Sequence, residues 1–248
     1  MVNETLLTSG ADVPFIEAGL VVHQPTLTEI GLIGGETEFR WGCEVLNISK
    51  ESLKDMDKNV LDNIDNFDIF MKLMNNHDTD MHSLRESSIK VLSILFPSYE
   101  MTIGKDALIF IKDSEEHYIR KDTFPIFQKI LVDICCLKGS DNDTKDFNPA
   151  SLVAKQIADK MRKGRAQAAL SKKDNKISIL SRYASILAIG LQIDLNIPMR
   201  YTVFQLYDQY KRYQLWSVYD TNLKARLAGA QDLDDPEDWR QDLHPDIK

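Results

Sequence analysis

The carboxylate-rich run Asp141-Asn-Asp143-Thr-Lys-Asp146 comes closest to a metal site in this chain, because alternating oxygen ligands open a calcium-binding loop. Its spacing argues against one. Asp146 stands where the loop needs a glycine for its sharp turn, and Leu152 fills the twelfth position, where a bidentate carboxylate would close the coordination shell. The five histidines, His23, His77, His82, His117 and His244, are scattered, and the spacing of five between His77 and His82 does not put both on one helical face. Gly31-Leu-Ile-Gly34-Gly35 lacks the preceding strand of a dinucleotide-binding turn, so its glycines are expected to break a helix. No serine or cysteine sits in a nucleophile elbow. The expectation is a protein with no catalytic residue, no cofactor and no metal, and not an enzyme.

Composition narrows the class. The chain has 248 residues, 43% of them hydrophobic, enough for one large or two small domains with a real core. A net charge of -8 argues against a general nucleic-acid or anionic-membrane binder. The three cysteines, Cys43 and the adjacent pair Cys135 and Cys136, match no zinc spacing and suit a reducing compartment. Residues 1–19 lack the basic start and apolar core of a signal peptide, and the most apolar stretch, Ile177 to Ile193, carries too many polar residues to span a bilayer. A protein that is not secreted and has no membrane partner is expected.

The elements that would carry any site are mostly helices. Thr26 and Glu29 form a capping-box pattern for a helix to about Ile33, Gly34 and Gly35 end it, and Glu36 to Leu46 starts another. Apolar residues at a 3.6-residue period predict helices over Asp57 to Met74 and over Ser83 to Phe96. Short apolar or alternating runs at Tyr99–Ile103, Ala107–Lys112 and His117–Arg120, separated by turn residues, predict an antiparallel meander. Asp122 or Thr123 then caps a helix with Pro125 in its first turn. The fold class is mainly α with a small antiparallel β meander (α+β) and a helical carboxyl-terminal bundle. The expected divisions are a flexible arm (1–20), a helical domain with the meander (21–138), a linker (139–147), the helical bundle (148–230) and an acidic tail (231–248).

Two surfaces stand out in the carboxyl-terminal half. From Lys155 to Arg182 nine lysines and arginines face only Asp159 and Asp174, a net of +7, with Lys160, Arg162, Lys163 and Arg165 at its centre. This stretch lacks interleaved aromatics for base stacking, so an acidic protein surface or plain solvation is favoured over nucleic acid. Between Thr202 and Leu227 a stripe of apolar and aromatic residues recurs along one helix. Leu206 and Tyr210 are expected in the core, whereas Tyr213, Trp216 and Tyr219, with Trp239 of the tail, are candidates for contact with another protein.

The pieces His23-Gln-Pro-Thr-Leu-Thr-Glu-Ile30, Ile33-Gly-Gly-Glu-Thr-Glu-Phe39, Ser178-Ile-Leu-Ser-Arg-Tyr-Ala-Ser-Ile-Leu187, Thr202-Val-Phe-Gln-Leu-Tyr-Asp-Gln-Tyr-Lys-Arg212 and Trp239-Arg-Gln-Asp-Leu-His244 resemble tail assembly chaperones of phages of Gram-positive bacteria. The resemblance implies a non-enzymatic chaperone acting in the host cytoplasm. It implies as partners the phage tape-measure protein and the tail-tube protein, and self-association is compatible with it. A virion structural subunit and a nucleic-acid-binding accessory protein are the alternatives.

The basic stretch allows a direct test. Retardation assays are expected to show no tight binding of DNA or RNA; a salt-sensitive complex abolished by reversing Lys160, Arg162, Lys163 and Arg165 would instead favour the nucleic-acid reading, because each neutralised phosphate releases counterions.

Overall fold

The computed structural model describes residues 2–49, 65–75, 79–137, 178–230, 235–245 and 247. These form eight α-helices and two small antiparallel sheets around a common core, an α+β arrangement. Helix α1 (Glu4–Ser9) leads into a hairpin of β1 (Val13–Phe15) and β2 (Leu20–Val22), followed by α2 (Leu27–Leu32) and α3 (Glu36–Leu46). Next come α4 (Asn66–Asn75), α5 (Thr79–Leu95), the meander β3 (Glu100–Ile103), β4 (Leu108–Lys112) and β5 (Glu115–Ile119), and α6 (Phe124–Ile134). Helices α7 (Ile179–Leu191) and α8 (Val203–Leu227), joined by a 3₁₀ turn at Pro198–Arg200, complete the regular structure among the described residues.

Residues 2–20, expected as a flexible arm, are folded. Asn3 caps α1 by accepting a hydrogen bond from the Leu6 N–H (2.8 Å), and Gly10 ends the helix with a left-handed φ of 71°. In the hairpin Val13, Phe15, Leu20 and Val22 point inward and are buried, while Pro14 and Val21 face out. The alternation is that of a two-stranded ribbon with one face in the core. Buried Gln24 ties the segment down by donating from Nε2 to the carbonyls of Leu6 (3.1 Å) and Ala11 (2.5 Å). His23 does the same from the rim, with its Nδ1 at 2.8 Å from Asp12 and its Nε2 at 3.2 Å from Glu29.

The central core is aromatic. Phe70 and Phe124 stack at 5.0 Å between centroids, Phe96 meets Phe110 at 4.4 Å, and Phe15 reaches Phe127 at 6.4 Å. One chain of rings therefore joins the hairpin, α4, α5, the meander and α6, with the offset and tilted geometries that aromatic quadrupoles favour. Helices α3 and α5 cross closely because Gly42 has no side chain: a Cβ there would lie 2.4 Å from Val91 Cγ2 and 2.5 Å from the Ser87 carbonyl oxygen.

Helix α7 packs along α8, and both share the core with the amino-terminal elements. Glu36 at the start of α3 accepts hydrogen bonds from Ser178 Oγ (2.6 Å) and the Leu180 N–H (3.1 Å), so its carboxylate serves the α7 amino terminus across 142 positions of sequence. Thr28 Oγ1 donates to the Met199 carbonyl, and Gln205 Nε2 donates to that of Thr8. The expected linker, 139–147, lies outside the described residues, and the described elements on its two sides pack as one body. The described helices and meander otherwise fall within a few residues of their expected places, while 57–64 of the helix expected over Asp57 to Met74 and 148–177 of the expected bundle lie outside the described residues. Among the described residues no helix is long and apolar enough to cross a membrane.

Leu206 is fully buried, as expected, but Tyr210 is only half-buried: it stacks on Tyr183 at 3.8 Å between centroids, at the edge of the α7–α8 seam. Replacing Leu206 by Ala is expected to cost about 2 to 5 kcal/mol of unfolding free energy, because the removed methyl groups leave a cavity that close neighbours fill poorly. Equilibrium denaturation in urea measures it, and a loss below about 1 kcal/mol would show that this part of the core collapses to fill the gap.

Candidate protein-interaction site

Helix α8 begins with a complete capping box: Thr202 Oγ1 accepts from the Gln205 N–H (3.2 Å), and Gln205 Oε1 accepts from the Thr202 N–H (3.0 Å). Its first turns are held in the core by Val203, Phe204 and Leu206. Beyond Tyr213 the helix turns large apolar side chains outward. Trp216, Tyr219 and Leu223 are 43%, 41% and 44% exposed, and Leu227 is 80% exposed. Their spacing of three, four and four residues keeps them on one face. Tyr213, half-buried, anchors the start of this stripe: its ring lies over Gly190 of α7, where a Cβ would come within 2.2 Å, and it stands 6.4 Å from Trp216. Exposed Leu191, Leu195 and Ile197 add apolar surface at the α7 end.

The described part of the tail runs back along α8. Arg226 Nη2 meets Asp235 at 2.5 Å, Arg240 lies within electrostatic reach of Tyr219, and His244 Nε2 is 3.2 Å from Asp208 Oδ1. The His244 ring also lies on Phe204, 4.6 Å between centroids, and Ile247 packs against the core. Asp208 is the polar centre of this contact. It is buried, and both its oxygens accept from Arg212 Nε at 3.1 Å. Burial alone would raise its carboxyl pKa; the hydrogen bonds from His244 and Arg212 outweigh that and hold it below the ordinary value of 3.8. Trp239, 36% exposed, sits on the tail between these fixed points.

A groove of about 840 Å³ opens between α3, the end of α6, α7 and α8, lined by Glu36, Trp41, Cys136, Tyr183 and Tyr207 among others. Burial, with the hydrogen-bonding Cys43 thiol beside it, pushes the Cys135 thiol well above its usual pKa. Burial and the charges of Asp133 and Asp208 raise Cys136 to about 12, and burial beside Tyr183 does the same for Tyr207. All three groups are therefore protonated near neutral pH, when a thiol nucleophile needs to be a thiolate. Glu36 is occupied in capping α7. What the groove offers is apolar surface with hydrogen-bonding groups at its rim.

Tyr213, Trp216 and Tyr219 thus lie along α8, and Trp239 lies on the tail that runs back beside it. Lys160, Arg162, Lys163 and Arg165 lie outside the described residues, as does the Asp141 cluster; among the described residues no group of three or more histidine, cysteine or acidic side chains is placed to hold a metal. Asp208, Arg226 and His244 were not singled out from sequence. An acid four residues before Arg212 is a visible helical ion pair, but nothing local signals that His244, 36 positions away, completes it.

Residues 170–244 match a family model described as the YomV second domain, from a family of phage-encoded proteins. This segment of the chain is similar to a phage domain. The match begins ahead of α7 and ends at His244, so it takes in α8 and the described tail as far as its contact with Asp208. Neither the curated proteins nor the solved structures contain a match to the chain.

The Asp208 contact predicts a signed pH effect. A depressed carboxyl pKa contributes stability above the ordinary value of 3.8 that is lost as pH falls through the lower folded-state value. Asp208→Asn is expected to lower stability at pH 7 by roughly 1 to 3 kcal/mol, since it removes the charge that Arg212 and His244 share. The difference from wild type should shrink below the ordinary carboxyl value, as followed by urea denaturation across pH; a gap independent of pH would locate the effect in packing.

Proposed function

We infer that the protein is a non-enzymatic assembly factor of phage tail morphogenesis, a tail assembly chaperone that holds the tape-measure protein, the tail-tube protein or both through the exposed face of α8. The observation that carries this reading is the row Trp216, Tyr219 and Leu223, solvent-facing on a helix whose earlier turns are buried. Large aromatic side chains gathered on one exposed face favour protein contact, because they supply much apolar area and a polar edge at little entropic cost. The similarity of residues 170–244 to a domain of phage-encoded proteins supports the phage setting. It falls on the same segment as the exposed stripe, which is why the interface reading is attached to α8 rather than to the groove.

A chaperone of this kind must release its client. A stripe of a few aromatics flanked by Lys224, Arg226 and Asp220 suits a temporary contact better than a broad apolar face would, since obligate interfaces bury more area and are more apolar. The host cytoplasm, where tails assemble, is the expected location.

Co-expression with the tape-measure and tail-tube proteins of the same phage is expected to yield a complex, and purified mature particles are expected to lack the chain. Finding it in particles at stoichiometric copy number would replace this reading with that of a virion subunit. Trp216→Ala should weaken the co-purified complex at least tenfold while moving the melting temperature of the free protein little, because the ring is nearly half exposed before binding. Unfolding of the free protein with binding retained would make Trp216 a core residue instead.

A further inference from the structure

The carboxyl-terminal tail contacts α8 at widely separated points along the helix, yet its described part, residues 235–245, forms neither helix nor strand. An irregular segment bearing Pro236 and Pro245 gains no backbone hydrogen-bond ladder, so what holds it must be side-chain recognition. The recognition is specific in kind. Arg226 takes the Asp235 carboxylate, buried Asp208 takes the His244 imidazole, and Phe204 lies against the same imidazole ring. Asp208 is 3% exposed, and one of its oxygens would lose a partner if His244 left. A buried carboxylate whose second partner arrives on a segment with neither helix nor strand is a seat for a ligand as much as a part of the core.

Charge fits the same picture. Residues 235–245 of the tail bring Asp235, Glu237, Asp238 and Asp242 with Arg240 as their one lysine or arginine, while the end of α8 presents Lys224 and Arg226. The tail also leaves Trp216 and Tyr219 about half exposed, so it occupies the polar fixed points of the face without filling the apolar ones.

We propose that the face of α8 bounded by Asp208 and Arg226 is a peptide-binding seat whose resident occupant is the protein's own tail, and that a partner is captured when an extended acidic segment, carrying an aromatic residue and a hydrogen-bond donor for Asp208, displaces it. The proposal deepens the interface reading of α8 and rests on it for the location of the partner, but the seat itself is defined by contacts within this chain. The tail sets the threshold for binding: a partner's apparent affinity is reduced by the fraction of seats the tail fills.

The test uses the full chain and a fluorescein-labelled synthetic peptide with the sequence of residues 235–248. Asp235→Ala combined with His244→Ala loosens the resident tail while leaving Asp208 and Arg226 of the seat unchanged, and His244→Ala alone is a second route. Fluorescence anisotropy is expected to show the peptide binding the doubly substituted chain at least tenfold more tightly than wild type. Adding Asp208→Asn, which keeps the shape and removes the charge, should reverse that gain. Equal binding to wild-type and tail-substituted chains, or binding to neither, would overturn the proposal. So would a wild-type dimer that dissociates on tail substitution, since that outcome assigns the seat to the tail of a second copy. The experiment contains no phage tail protein; a failed co-expression with the tape-measure protein and a failed peptide exchange are therefore separate results.

Discussion

The two halves of the structure meet where two helix amino termini satisfy each other. Thr26 and Thr202 pair as an isolated antiparallel bridge, and each is the cap of its own helix. The Leu27 N–H donates to the Tyr201 carbonyl and the Val203 N–H to the Pro25 carbonyl, both at 3.2 Å. First-turn amides that an isolated helix leaves to water are thus answered by the backbone of the other helix's entry strand, and a further amide of each by its own threonine hydroxyl. This exchange sets α8 against α2 and so decides where the whole carboxyl-terminal segment lies.

Bringing two helix amino termini together has an electrostatic cost, because both ends carry partial positive charge. Glu29 offsets it. Its carboxylate accepts from the Thr26 N–H and hydroxyl, both at 2.8 Å, and pairs with His23. Burial works against its ionisation, yet the hydrogen bonds from Thr26 and His23 keep its pKa below the ordinary carboxylate value. His23 shows the reciprocal effect: burial lowers its pKa, and its contacts with Asp12 and Glu29 more than restore it, leaving it above the ordinary 6.5. The same histidine is therefore a bridge from the capping box to the hairpin loop. Its contribution belongs to pH values below its folded pKa and is lost as pH rises through it, whereas that of Glu29 is lost on the acid side.

Local signals were legible from sequence where the chain answers its own chemistry nearby. Thr26 with Glu29, the break at Gly34 and Gly35, the period of Phe39, Cys43 and Leu46, and the alternation of Leu108 and Phe110 each specify an element within a few residues of itself. What could not be read were contacts that close over long separations. The hairpin was missed because three-residue strands with one proline give too short an alternation, although Asn3, Gly10 and Gly19 mark its surroundings as turns and caps. The residues of the proposed interaction face divide the same way. Trp216 and Tyr219 advertise themselves by type and spacing, while the partnership of Asp208 with His244 depends on how the tail returns.

Helix α8 changes its role along its length without changing its conformation. Its first turns are fixed by the capping box and by Phe204 and Leu206, buried among other elements. Its last turns carry Trp216, Tyr219 and Leu223 outward, stiffened by the Asp220–Lys224 ion pair at 2.5 Å, which at this exposure adds only a few tenths of a kcal/mol. A helix of 25 residues can hold that projecting end because nucleation has already been met in the core, so each further turn adds hydrogen bonds without a new nucleation cost. The rigid presentation of an aromatic face follows from anchoring at the opposite end. Asp208 lies at the change-over, where α8 leaves the core and the returning tail meets it, and this is why one buried carboxylate can serve the fold through Arg212 and the surface through His244.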